Sequence, residues 1–415
     1  MNIALISIIL FTLTIFIGII KPKINLGIIA ITFAFLVGIL LMGLKEKQIS
    51  ELFPTNLFLM LVSITTFFGI AMQNNTLNNL SRLLVKFCRG NNKIIPISFF
   101  LITFLLSSIG PGNIAATAII APIALVITNK LKLNPLLTII MVCTGANAGA
   151  FSPISPTGII SIGLISKIGI SNIDIAIKIY LTAAVIQSIS ALAAYLLFKG
   201  YSAKNTNVND IDQKINFSLK QGITILFIFL LVIAIAIFKF PIVLTATTLS
   251  FILFILNFAE GEKVIKKLPW DSILLVCGVT VLIGILEKAG GLELATTVIA
   301  KFGSVGYING LLALITGLIS AYSSSSGVVM PAFIPLVPGL IEKLGGGDII
   351  KMIIAINVGS HMVDVSPLST LGAISLASYI GTNKEKNILF RKLMIWGLSM
   401  AIVGAGLSYV FLDLM

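Results

Sequence analysis

Two stretches of this 415-residue chain hold side chains that could do chemistry, SSIGPGNIAATA (107–118) and TGANAGAFSPISPTG (144–158). Each places Gly, Pro, Ser and Asn inside an otherwise apolar run. The pair returns about 214 residues later as SAYSSSSGVVMPAFIP (320–335) and VGSHMVDVSPLSTLG (358–372). The chemistry on offer is coordination. Helix starts after Asn113 and after Gly327 present N–H groups and positive dipole ends to an anion such as a carboxylate. Gly112 and Gly327 let the backbone come close. Asn113, Ser325 and Ser326 add groups that donate or accept, and Ser155, Thr157, Ser369 and Thr370 supply more. Local bonding to neighbouring carbonyls is the competing role for these serines.

None of the four interruptions contains Lys or Arg. A dianion held there by dipoles and hydroxyls alone is poorly neutralised, so a companion cation is expected. Oxygen ligands suit sodium. One set is Ser108, Asn113, Ala148 and Gly149; the other is Ser324, Ser326, Val363 and Asp364. Asp364 and His361 have no ionisable counterpart in the first half, where Ala150 and Asn147 stand. Ionisable residues at membrane depth read as functional, so both are coupling candidates. A helix-packing bond for His361 and a capped helix break for Asp364 are the structural alternatives.

Composition says what must position these residues. With 57% hydrophobic and 10% charged residues, the chain departs far from the soluble average of about 25% charged. Apolar runs near 20 residues recur throughout, which predicts a polytopic helical membrane protein. The net charge of +13 comes from Lys and Arg lying between apolar runs, a topology signal that does not call for nucleic acid. The first 20 residues read as a retained span. Three cysteines without metal spacing read as apolar packers, and one histidine offers little to an enzyme.

The expected fold is all-α with two inverted-topology repeats of five crossings each. The first repeat covers 1–200, with spans at 2–20, 25–43, 54–72 and 176–198, a re-entrant hairpin 94–129 and a broken helix 135–166. Its hairpin arms, about 15 residues each, look short for full spans. The helix break is placed at Ala148–Thr157. A cytoplasmic linker follows at 201–217. The second repeat covers 218–415, with spans at 219–237, 241–258, 270–287 and 390–412, a hairpin 306–343 and a broken helix 349–380. Amphipathic stretches at Leu77–Phe87 and Leu292–Phe302 fit an interfacial position.

Alignment of the halves pairs Gly145 with Gly359, Ser152–Pro153 with Ser366–Pro367, Ser155 with Ser369 and Gly158 with Gly372. An odd crossing number turns the second half over. With the amino terminus outside, 19 of the 28 basic residues fall on the cytoplasmic side, Lys21, Lys23, Arg89, Lys204 and Lys214 among them. Both termini are then expected on the extracellular or periplasmic face of the inner (cytoplasmic) membrane.

GPGNIAATAIIAP with GANAGAFSPISPTG resembles the amino-terminal half of MatC-type malonate and dicarboxylate carriers, and SSSSGVVMPAFIPLVPG with GSHMVDVSPLSTLGA resembles their carboxyl half. These carriers belong to the ion-transporter superfamily, alongside divalent-anion:sodium symporters. The resemblance implies an elevator-type homodimer with sodium-coupled uptake of dicarboxylates. Where those symporters carry Ser-Asn-Thr at each tip, this chain has Gly112-Asn113-Ile114 and Ser325-Ser326-Gly327. The leading expectation is symport of a small dicarboxylate such as malonate or succinate. A cation/proton antiporter, a proton-coupled anion carrier using Asp364 and His361, a channel and an intramembrane enzyme are the competitors.

Overall fold

The structure is a computed structural model that describes residues 3–20, 24–87, 92–170, 172–202, 216–238 and 240–413. All regular structure among these residues is helical. In order come α1 (Ile3–Ile20), α2 (Leu26–Phe35, continued by a π-turn Leu36–Leu41), α3 (Glu46–Ser50), α4 (Thr55–Gln73), α5 (Thr76–Phe87), α6 (Ile95–Ser108), α7 (Gly112–Lys130), α8 (Pro135–Ala150), α9 (Pro156–Lys167) and α10 (Ile173–Leu197). After residue 215 follow α11 (Leu219–Ala236), α12 (Ile242–Ile255), α13 (Gly261–Lys266), α14 (Trp270–Lys288), α15 (Gly291–Phe302) and α16 (Ile308–Ser320). A composite helix Ser325–Leu344 contains α17 (Met330–Phe333) and α18 (Val337–Leu344). The chain ends with α19 (Ile349–Met362), α20 (Thr370–Ala377) and α21 (Asn383–Asp413).

Six of these helices are long and apolar enough to cross a membrane: Thr55–Gln73, Gly112–Lys130, Ile173–Leu197, Trp270–Lys288, Ser325–Leu344 and Asn383–Val410. Eight further apolar helices among the described residues run 10–17 residues. The protein is a multi-pass membrane protein by helix length and hydropathy. One expectation changes here. The helix expected as the second arm of the first hairpin is 19 residues, because it starts at Gly112 and runs on to Lys130. Shortness therefore argues for a re-entrant path at α6, with 14 residues, and at α16, with 13, but not at α7.

The helix breaks are also tighter than expected. α8 runs through Ala148 and Gly149 to Ala150, and α9 restarts at Pro156. The ladder shifts at Ser152, whose N–H reaches Gly149 three residues back, and Pro153 has no N–H with which to resume it. Pro156 sits in the first turn of α9, where a missing donor costs nothing. In the second half the break is Val363–Ser369, and α20 begins at Thr370. The composite helix is less regular than α7. It carries Pro331, Pro335 and Pro338, against Pro122 alone in α7, and it passes through π and 3₁₀ turns. The short helices α3 and α13 had no expected counterpart.

The core sits on α8 and α19, whose residues 136–150 and 352–362 are all buried. α8 packs on α6 and α10; α19 packs on α16 and α21. Between the halves, α2 packs on α14 and α12 on α4, while α10 touches α19 and α21 touches α8. Two polar pairs follow the same exchange. Asn357 Nδ2 on α19 donates to Ser161 Oγ on α9 at 3.0 Å, and Cys143 Sγ on α8 lies 3.4 Å from Ser375 Oγ on α20. The α2–α14 contact is the closest in kind. A Cβ on Gly27 would lie 2.0 Å from the Leu274 carbonyl oxygen, and one on Gly278 would lie 2.2 Å from the Gly27 oxygen.

Cys143 and Cys277 are buried free thiols, in keeping with apolar packing. Cys88, Lys21, Lys23, Arg89, Lys204, Lys214 and most of the 201–217 linker (203–215) lie outside the described residues.

Candidate functional site

The tip between α6 and α7 is Ile109–Pro111. Gly110 and Gly112 have φ of +130° and +83°, a backbone region that L side chains avoid, and this lets α7 begin directly at the turn. At Asn113, 8% exposed, the side chain faces inward. Its Oδ1 accepts from the Ile114 N–H at 3.0 Å and from Thr157 Oγ1 at 3.5 Å. Its Nδ2 donates to Asn147 Oδ1 at 2.9 Å.

Asn147 then crosses to the second half. Its Nδ2 donates to the His361 carbonyl at 2.8 Å and to Asp364 Oδ2 at 3.1 Å. The other carboxylate oxygen, Oδ1, accepts from Ser325 Oγ at 2.6 Å. Ser325 is also 2.6 Å from Ser320 Oγ and 3.0 Å from the Ser360 carbonyl oxygen. One buried chain of bonds thus runs Thr157–Asn113–Asn147–Asp364–Ser325–Ser320. It joins the tip residue Asn113 to the tip residue Ser325 through Asn147 near the end of α8 and Asp364 in the second helix break. Donors on this chain point toward Asp364 from both sides, an arrangement in which each bond polarises the next.

The other candidates divide. Ser369 Oγ donates to the Asp364 and Ser366 carbonyls, the local bonding that competed with a ligand role. Ser366 Oγ reaches the Ala321 carbonyl at 3.3 Å, pinning the second break to the second tip. Ser155, the residue that precedes α9, is buried with an Oγ that has no partner. A Cβ on Gly112 would lie 3.4 Å from it. Thr370 is exposed, and Ser326 is half-buried.

Several expected ligands are differently placed. Ser108 Oγ donates to the Phe104 carbonyl at 2.7 Å and lies 2.9 Å from Tyr180 Oη, so the α6–α10 contact uses it. Ala148 and Gly149 belong to a continuous helix, and the Gly149 carbonyl accepts from Ser152 N–H at 3.2 Å. The Val363 carbonyl accepts from Ser366 N–H at 2.8 Å. At the second tip the helix starts at Ser325, not after Gly327. Ser324 caps it, its Oγ accepting the Gly327 N–H at 3.1 Å. His361 Nδ1 bonds the Asn357 carbonyl of its own helix at 2.9 Å, and its ring meets Phe151 edge-on at 4.7 Å.

Asn147 is the site residue that the sequence reading left out. Its signal was an amide between Gly145–Ala146 and Ala148–Gly149, small neighbours that let another helix approach a polar group closely. Among the described residues no group of three or more His, Cys, Asp or Glu could hold a metal ion. A cation here would rest on hydroxyl, amide and carbonyl oxygens with Asp364 alone.

Residues 1–150 match the family model described as "Dicarboxylate carrier protein MatC N-terminus". This segment is similar to the amino-terminal part of that carrier family. The match takes in the whole first tip and α8 as far as its last residue, so Asn113 and Asn147 both lie within it. No curated protein matches the chain. The likeness to a dicarboxylate carrier covers this amino-terminal segment; by helix length and hydropathy the chain as a whole is a multi-pass membrane protein.

Proposed function

We propose that the carrier is a secondary active transporter that moves a small dicarboxylate, malonate or succinate in kind, together with sodium. The observation that carries this reading is the hydrogen-bonded chain from Asn113 through Asn147 and Asp364 to Ser325. Two unwound tips drawn from distant parts of the sequence meet there, the arrangement expected of a carrier binding site. An inverted repeat is supported by reciprocity. Cys143 and Asn357 occupy equivalent positions, as do Ser161 and Ser375, and each member of one pair contacts a member of the other across the halves. Asn147 meets the peptide of its own equivalent, His361, as residues on a two-fold axis do.

Sodium coupling is supported by chemistry. The network holds one carboxylate, and among the described residues no ion pair reaches it. Adding a dianion therefore calls for a mobile cation. Two re-entrant hairpins, a homodimer and elevator-type alternating access complete the reading, with both termini outside the inner membrane.

Uptake of labelled malonate and succinate into proteoliposomes, with an imposed sodium or proton gradient, tests it. Sodium-driven accumulation is expected. Accumulation driven by protons alone favours the proton-coupled carrier, and indifference to both gradients removes symport. Asn113→Ala and Ser325→Ala each take one link out of the buried chain. Both are expected to abolish concentrative uptake, while yield and monodispersity in detergent stay near those of the parent.

A further inference from the structure

The two halves present their hydroxyls differently. In the first, Ser155 Oγ is buried and has no partner. In the second, the equivalent Ser369 is used up on carbonyls, and the tip hydroxyl of Ser325 is held by a carboxylate. That carboxylate, Asp364, stands where the first half has Ala150. It is 6% exposed, and each of its oxygens takes a donor from a different half, Ser325 Oγ and Asn147 Nδ2. These are the donor types that a free carboxylate would need at the same place.

We propose that Asp364 is a tethered competitor of the substrate: its carboxylate occupies the Ser325 hydroxyl and the Asn147 amide in the empty carrier, and a substrate carboxylate must take them over. The proposal rests on reading the site as an anion site. Two carboxylates cannot share these donors without strong repulsion. A substrate carboxylate therefore enters only as a cation draws Asp364 away or neutralises it. The competitor makes anion binding conditional on the cation, and it discourages binding of the anion alone. In the first half nothing is tethered, and the free Ser155 hydroxyl is left for the other end of a dicarboxylate.

The test is calorimetric titration of the purified full chain with malonate, at low and at saturating sodium chloride. Removing the tethered charge with Asp364→Asn is expected to tighten malonate binding at low sodium by roughly five- to hundredfold, and to shrink the difference between the two sodium conditions. Adding Ser325→Ala to that variant is expected to cancel the gain, because the released donor is gone. Ala150→Asp, which tethers a second carboxylate in the first half, is expected to weaken binding.

A folded Asp364→Asn protein with unchanged or weaker malonate affinity overturns the proposal. Asp364→Ala is made beside it; failure of both to fold also overturns it, since a displaceable group cannot be indispensable to the fold. Wild-type uptake with unchanged affinity in Asp364→Asn removes the competitor and leaves the transport reading standing. Absence of wild-type binding and uptake for malonate and succinate alike removes the transport reading, and this inference with it.

Discussion

Asn147→Ala is expected to abolish uptake and to remove roughly 3–5 kcal/mol of stability, as loss of one partner from a buried charged network does. Three groups lose a bond at once: Asn113 Nδ2 and Asp364 Oδ2 lose their partner, and the His361 carbonyl keeps only backbone donors. All three belong to residues that are at most 8% exposed, so water cannot readily replace the amide. Thermal unfolding of the detergent-purified variant beside a proteoliposome uptake assay reads both effects. Asn147→Asp should be worse still, because it sets a second carboxylate against Asp364 and has no N–H to offer. A stable, transporting Asn147→Ala protein would show that the connected bonds carry little energy.

The second large effect belongs to a pair of glycines that close the helix breaks. A Cβ on Gly158 would lie 2.0 Å from the Ser152 carbonyl oxygen, and one on Gly372 would lie 2.0 Å from the Ser366 oxygen. Both obstacles are backbone, which has no rotamer to yield. Gly158→Ala and Gly372→Ala must each unwind the start of α9 or α20, and with it the placement of Thr157 or Ser369. Each is expected to cost about 3 kcal/mol or more, the upper range for overpacking, and to cut the yield of folded protein. Gly222→Ala is the control. Gly222 lies exposed within α11 with nothing within 4 Å of its Cβ position, so alanine there should be neutral or stabilising by up to about 1 kcal/mol. Comparable melting temperatures for all three variants would sink the steric account.

Most elements were legible because apolar runs and proline interruptions are coarse signals, and the structure places them within a few residues of expectation. The boundaries at the site were less so, for identifiable reasons. The break after α8 was expected from Ala148, on account of the two prolines within 148–157; the helix tolerates the small residues ahead of them and runs on to Ala150, the ladder shifting at Ser152 just before Pro153. In Ser323–Ser326 four identical side chains stand in a row, and nothing in the sequence says that Ser324 caps while Ser325 binds Asp364. Ser108 was read as a ligand from its place beside the tip; Tyr180, distant in sequence, claims it. Asn147 was seen only as the counterpart of His361, because its importance comes from three partners on other segments. Local sequence marks where the backbone must leave the helix. Which side chain then receives which bond is decided by segments far away along the chain.

The seam between α2 and α14 has a mechanical consequence. At Gly27 and Gly278 two peptide backbones lie against one another with no side chain between them. Contacts made by leucines or methionines can creep, one torsion at a time, and so absorb a small sliding motion. Here there is no torsion to spend, and a slip of one residue would drive Leu26 or Ile28 into bare backbone. The two helices must therefore travel as a single strut, and any motion that accompanies turnover has to be taken up along softer seams.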